Sequence, residues 1–378
     1  MSMRTAMVTR RRALALSALA VASPSLVRAQ EPIRVTDYLG REVRLARPAR
    51  RIVLAQGRHL AVLNLLHPEP VSLVAGWADD MLIGAVSESR AYVRRIPQTA
   101  RIPVIGRSAQ TLHLEPVLAL EPDLVVMSGG AGARADVMTS LPLVRGLEAA
   151  GVPVAAIDFF YDPLANTVVS LRTLGRLIGR EQQAAALIAL HEAGIARVRA
   201  ATADAPTPRP TVMMHAHAGG TPCCNSPGRG TFDGFIRLAG GHNIGADVLS
   251  GATGSLSLEH LLTVDPDVYV ATGGSYNGRG GVMLGADVDE AEARASLKQV
   301  IHGQKLDALA AVKNGRAHGI WHGCNDSPAH VMAIEALAKW IQPGRTNDLD
   351  PTRTLTTLNE KFAAVPLEGT YWTSLGSA

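Results

Sequence analysis

The chain has 378 residues, with 37 lysines and arginines against 33 aspartates and glutamates and a formal net charge of +4. Five of the arginines lie in the first 29 residues, which hold no acid, so the remaining 349 residues carry 32 basic against 33 acidic side chains, a net of −1. That balance excludes an electrostatic case for nucleic-acid binding, and the length suffices for two lobes with cores of their own.

Residues 1–29 read as a cleaved export signal. Thr9-Arg10-Arg11-Arg12 precedes a weakly apolar run from Ala13 to Ala22, and Val27-Arg28-Ala29 offers a small-residue cleavage site. The paired arginines resemble a twin-arginine signal. The apolar run falls short of the roughly 20 residues that span a bilayer. No cysteine stands near the cleavage site to carry a lipid. The remainder is expected to be soluble and periplasmic.

A first lobe is expected over residues 30–162. It opens with an arm, residues 30–50, that contains a candidate hairpin around Leu39-Gly40. Arg51 to Gln56 then reads as strand, His59 to Leu66 as helix, Val71 to Trp77 as strand and Val152 to Phe159 as strand. Such alternation argues for a parallel sheet covered by helices. Between the last two strands stands Leu112–Gly130, which returns as Leu256–Gly274 with nine of nineteen positions identical. Each copy reads as a short helix with an acid in its first turn, Glu115 or Glu259, then a proline and a buried strand, Leu124 to Met127 or Val268 to Ala271. Both strands run into a Gly-Gly loop, and in open α/β sheets ligands sit beyond the carboxyl ends of strands. Two copies so far apart suggest two similar lobes.

Apolar residues recur at helical spacing from 163 to 204 without an internal proline, predicting an inter-lobe helix on the order of 50–60 Å long. The punctuation APTPRP at 205–210 opens a second lobe, 205–378. Its expected elements are a strand from Thr211 to His217, a helix from Phe232 to Leu238, a strand from Ala317 to Trp321, and helices from Pro328 to Ile341 and Thr354 to Phe362. The fold class is α/β: two lobes, each with a mostly parallel sheet flanked by helices, joined by a single long helix.

This plan resembles the periplasmic substrate-binding proteins of ABC importers of the iron-siderophore and cobalamin class. The resemblance spans about residues 50–345. Its carriers are the paired LxLExxLxLxPDLVV-type segments, the inter-lobe helix, Leu238-Ala239-Gly240-Gly241-His242-Asn243-Ile244 with Asp247, and Ala311-Val312-Lys313-Asn314-Gly315-Arg316 before a strand. Trp321-His322, Ser327-Pro328 and Gly369-Thr370-Tyr371-Trp372 look like a subgroup linked to ferric siderophore uptake. The resemblance implies a monomer that holds a ferric chelate between its lobes, closes modestly, needs no cofactor and docks on an inner-membrane permease through one exposed acid per lobe. By position, Asp136 and one of Asp289, Glu290 or Glu292 are the candidates.

Loops after strands supply the ligand contacts. Arg58 could pair with an anionic chelate through its forked donors or face solvent. Trp77 could stack on a flat ligand or pack in the core. Ser128-Gly129 and Thr272 are expected on opposite walls of one site, and the Phe159-Phe160-Tyr161 run favours a site wall. In the second lobe, Arg229, Tyr276, Trp321 and His322 are candidate contacts. His215 and His217 alternate on the predicted strand and should share a face, which leaves metal ligation open beside a plain contact role for His215. One of Cys223 and Cys224 is expected to bond Cys324, the pair Cys224–Cys324 being the candidate disulfide in an oxidising compartment, against a Cys/His metal cluster. Two other readings remain. One is direct capture of haem, cobalamin or a metal ion, for which His59, His215, His217, His322 and His330 are raw material. The other is an exported metal-dependent enzyme, although no GxSxG, Walker or HExxH motif is present.

Overall fold

The computed structural model describes Met1 and residues 31–130, 132–276 and 280–376, and everything from Pro32 onward forms one compact unit. The expected export signal lies outside the described residues, apart from Met1. An antiparallel hairpin, β1 (Ile33–Thr36) and β2 (Glu42–Leu45), turns at Gly40 with φ +83°. That left-handed angle suits glycine. The Asp37 carboxylate, accepting from the Leu39 and Arg41 amides, holds the turn.

The first sheet comprises β3 (Ile52–Leu54), β4 (Val74–Ala78), β5 (Val104–Gly106), β6 (Leu124–Met127) and β7 (Val154–Ala156), all parallel in the order β5-β4-β3-β6-β7. The second lobe holds β8 (Thr211–His215), β9 (Asn225–Pro227), β10 (His242–Asn243), β11 (Thr253–Ser255), β12 (Val268–Gly273), β13 (Gly285–Ala286), β14 (Ala317–Trp321), β15 (Gly369–Thr370) and β16 (Trp372–Ser374). Its main sheet runs β10-β8-β12-β14-β16, parallel except for β16. Every residue of β6 and of β12 is buried, as strands covered by helices on both faces require.

The two copies of the repeat occupy equivalent places. The helices Leu114–Leu118 and Leu258–Val264 each lead into a left-handed residue, Glu121 (φ +46°) and Asp265 (φ +44°), just before Pro122 and Pro266. A left-handed residue reverses the chain after a helix and aims it into the strand. Only the second copy is capped by its polar lead residue, with Ser257 Oγ accepting from His260 N at 3.0 Å.

The connection between lobes is a correction to the sequence reading. The helical stretch breaks at Gly179, φ +67°, into helices Pro163–Leu177 and Glu181–Ala201. The former belongs to the first lobe, where Thr173 Oγ1 donates to Thr36 O. Only the latter, about 32 Å long at 1.5 Å per residue, joins the lobes. Gln183 reaches Leu65 O in the first lobe, while Arg197 and His191 reach Glu335 and His330 in the second. A left-handed glycine breaks a helix as surely as a proline.

The lobes also meet directly. Asn64 bonds both main-chain groups of Val365, Ser87 N donates to Ser275 Oγ, Ala286 N donates to Glu88, and Arg94 pairs with Asp287 at 2.6 Å. Arg58 of the first lobe lies 3.4 Å from Asp326 of the second and 3.7 Å from Asp80.

Two outcomes are expected. Asn64→Ala strands a buried N–H and C=O, each costing about 1–3 kcal/mol, so urea titration should show a loss of roughly 2–4 kcal/mol; no measurable loss would contradict the tie. Burial pushes the Asp326 carboxyl up to about 6, against the pull of Arg58. A carboxyl whose folded pKa exceeds its unfolded value binds more protons when folded, so it removes stability as pH rises from about 4 to about 6. Asp326→Asn should therefore gain thermal stability relative to the parent across that window, and parallel pH profiles would contradict the assignment.

Candidate functional site

A cleft of about 530 Å3 opens between the carboxyl ends of the two sheets. Its first-lobe wall is the loop after β7. Asp158, fully buried, accepts from the amides of Phe160, Tyr161 and Asp162 and from Asn166 Nδ2, all within 2.7–2.9 Å. One carboxylate thereby fixes the loop and the start of the following helix, and it presents Phe160 and Tyr161, packed edge to face at 5.0 Å, to the cleft. Tyr38 from the hairpin turn completes this wall, its hydroxyl accepting from Gly129 N at 3.1 Å. Burial pushes the Tyr38 phenol up to about 12, so it remains a protonated donor.

The second-lobe wall is organised by Thr272 at the end of β12. Its hydroxyl accepts from His217 N at 2.9 Å and bonds His322 Nδ1 at 2.8 Å. The two imidazoles lie 3.7 Å apart and tilted by 34°, and Tyr276 OH bonds His217 Nδ1 at 2.9 Å. Burial holds the His322 pKa well below the ordinary imidazole value, followed by repulsion from His217 and Arg58. Phe232 packs 5.5 Å from His322, Arg229 lies exposed at the rim, and Asn225 and Asn325 complete the wall. Asn325 is 1% exposed, and neither its Nδ2 nor its Oδ1 has a protein partner.

Several expected contacts fall elsewhere. Trp77 is core, 1% exposed. Ser128 is buried against His59 Nε2 at 3.2 Å, and Thr272 is fully buried, so these two hydroxyls support the walls instead of facing each other. Gly129 acts through its amide on Tyr38. His215 and His217 do not share a face: the strand ends at His215, which bonds Tyr269 OH in the core, and His217 turns away with φ +51°. Burial lowers the His215 pKa to about 4. Trp321 packs edge to face on Tyr371 beside a smaller inter-lobe cavity. Arg58 lies under the cleft wall, 4.8 Å from the Phe160 ring, with its charge met by Asp80 and Asp326.

The cysteines also depart from expectation. Cys223 bonds its neighbour Cys224, and Cys324 is a buried free thiol. Cys224 and Cys324 both turn into the core, but Cys224 is already paired within its own loop. Among the described residues no group of three or more His, Cys, Asp and Glu side chains is arranged to hold a metal ion. Asp136 and Glu290 are exposed and ion-paired to Arg134 and Arg294, while Asp289 caps its helix by accepting from Glu292 N.

Sequence reasoning missed Tyr38, Phe232, Asn225 and Asn325. Tyr38 gave no signal, since it stands in the candidate hairpin of the arm and not in a loop after a strand of the sheet. Asn325 stood in the post-strand segment that holds His322, and nothing in the sequence marks its amide as unpartnered.

The profile of a family described as periplasmic binding protein matches residues 66–319. A cobalamin-binding protein of Halobacterium salinarum is 32% identical over 207 residues, 54% of this chain and 52% of its own, so the chain spans about half the length of the curated relatives it matches. A TroA-like periplasmic binding protein, FepB, from Veillonella parvula superposes with a TM-score of 0.82 at 24% identity, covering 91% of this chain and all of that one. A protein of an ABC-type Fe3+-hydroxamate transport system from Saccharomonospora viridis has a TM-score of 0.52 at 22% identity, covering 83% of this chain and all of that one. The fold is thus that of the two-lobed TroA-like proteins, and the chain belongs to the periplasmic binding protein family.

Proposed function

We propose that this chain is the extracytoplasmic solute-binding component of an ABC importer, capturing a ferric siderophore-type chelate between its lobes and delivering it to a membrane permease. The observation that carries this reading is the inter-lobe cleft, walled by Tyr38, Phe160, Tyr161, Phe232 and two imidazoles. Such a surface grips the organic outside of a chelate, whose own donors fill the coordination sphere of the iron. Export by the N-terminal signal would put the protein in the periplasm as a monomer, and Asp136 and Glu290 are the residues we assign to permease docking. Among the described residues no helix is long and apolar enough to cross a membrane.

A second reading is cobalamin capture, favoured by the similarity to the Halobacterium salinarum protein. A corrinoid is far larger than a compact ferric chelate, and a cleft of about 530 Å3 suits the smaller cargo.

The test is a thermal-shift screen of ligand-free protein against ferric siderophores, cobalamin and haem. A ligand at 100 times its dissociation constant adds about 2.7 kcal/mol of apparent stability. Stabilisation by a ferric siderophore is expected; stabilisation by cobalamin or haem alone would replace the cargo. Tyr161→Ala should weaken the ferric chelate about tenfold, roughly 1.4 kcal/mol, in fluorescence titrations. Unchanged affinity would remove Tyr161 from the wall.

A further inference from the structure

The lobes touch at the rim of the cleft through a hydrogen bond. Thr231 Oγ1, in the second lobe, donates to the main-chain oxygen of Phe160 in the first. Among the described residues it is the one inter-lobe hydrogen bond with both partners lining the cleft. Asp162 and Arg229, each two residues from one of the partners, line the cleft and are exposed, which puts the bond at the solvent edge. Other inter-lobe bonds, among them Asn64 to Val365, Ser87 to Ser275 and Ala286 to Glu88, join residues outside the cleft lining and form its base.

The two sides of the rim bond are built differently. Phe160 is fixed, because Asp158 holds its loop with four bonds. Thr231 ends a short strap. At the start of the strap Gly228 is anchored: its amide donates to Ala252 O at 2.9 Å, its carbonyl accepts from Asn243 Nδ2 at 3.1 Å, and a Cβ there would stand 2.1 Å from Gly251 O. Gly230 has φ +141° and ψ −143°, and a Cβ there would meet nothing within 4 Å. That backbone region is open to glycine almost alone, so Gly230 serves conformation and not packing. The helix that follows, Thr231–Leu238, starts without a side-chain cap, which leaves its first turn free to fray. Phe232 then returns to the core, 5% exposed.

We infer that Arg229–Gly230–Thr231 is a latch on the cleft: cargo enters and leaves when Thr231 lets go of Phe160, while the lobes stay tied at their base. The latch uses the Phe160 carbonyl and leaves its side chain to the cleft wall, so it is made alike with cargo and without. Weakening it therefore lowers the barrier in both directions and leaves the binding equilibrium alone. The consequence for cargo rests on the binding reading above; the latch itself does not.

Amide hydrogen exchange on the ligand-free full chain tests the latch, and stopped-flow tryptophan fluorescence with ferrioxamine E, an iron-loaded siderophore, tests the gating. Thr231→Val removes the donor, Gly230→Ala disfavours the latched backbone without a clash, and Thr231→Ser keeps the donor. The first two should speed exchange of the Gly234 amide, which donates to Gly230 O at 2.9 Å, by about fivefold, with Thr231→Ser at the parent rate. The amides of Ser87, Ala286 and Val365, which bond across the base, should keep parent rates. Association and dissociation of ferrioxamine E should both quicken by about fivefold, with affinity within about twofold of the parent. Failure of ferrioxamine E to bind counts against the ferric-chelate reading, and the exchange rates still decide the latch. Unchanged exchange at Gly234, equally faster exchange at Ser87, Ala286 and Val365, or faster dissociation without faster association overturns it.

Discussion

The geometry of the site depends on a carboxylate with no exposed surface. Glu335, on the helix His330–Ile341, is answered by Arg197 of the inter-lobe helix at 2.8 Å and by the Thr354 hydroxyl at 2.6 Å. A buried charge without its partner is costly, so this ion pair holds the inter-lobe helix against the second lobe. The His191–His330 bond, 2.8 Å between ring nitrogens, secures the same interface. His330 stands four residues after the segment His322–Asp326, which carries the cleft imidazole, the unpartnered carboxamide and the acid that meets Arg58. Position therefore passes from the connecting helix to the binding wall through packed side chains.

The first lobe reaches the cleft by different means. Its wall is a loop, and a loop needs its amides satisfied to hold a shape. Asp158 supplies that, and the Tyr38–Gly129 bond sews on the hairpin. Arg58 then joins the lobes beneath Phe160 by pairing with Asp326. Arg58–Asp326 and Arg94–Asp287 thus tie the lobes together, and the cleft is lined largely by aromatic side chains and imidazoles with Asp162 and Arg229 at its rim.

Much of the fold was legible because it rests on periodicity. The repeated helix-strand units fall where the pattern put them, with their strands β6 at Leu124–Met127 and β12 at Val268–Gly273, since fully buried strands leave continuous apolar runs. The long helix was overestimated because apolar spacing carries no sign of a left-handed glycine, and Gly179 divides it. The site was half legible. Aromatic residues at a strand's end marked Tyr161, and the post-strand segment marked His322, but Arg58 and Trp77 differ only in what surrounds them. Arg58 meets two acids from distant stretches of chain, and Trp77 points inward on a strand covered on both faces. The His215–His217 alternation failed for a local reason: the strand ends at the first histidine, and period two ends with it. Disulfide partners cannot be read from loop membership, and here sequence neighbours pair.

The central claim is that a ferric chelate sits between the lobes, in contact with both walls. Crystals grown with an iron-loaded siderophore and measured at the iron absorption edge locate the metal directly. The account requires one anomalous peak inside the cleft, flanked by Tyr161 on one side and by His322 and Asn325 on the other. An iron peak on the outer surface, or a chelate held by one lobe alone, would contradict it.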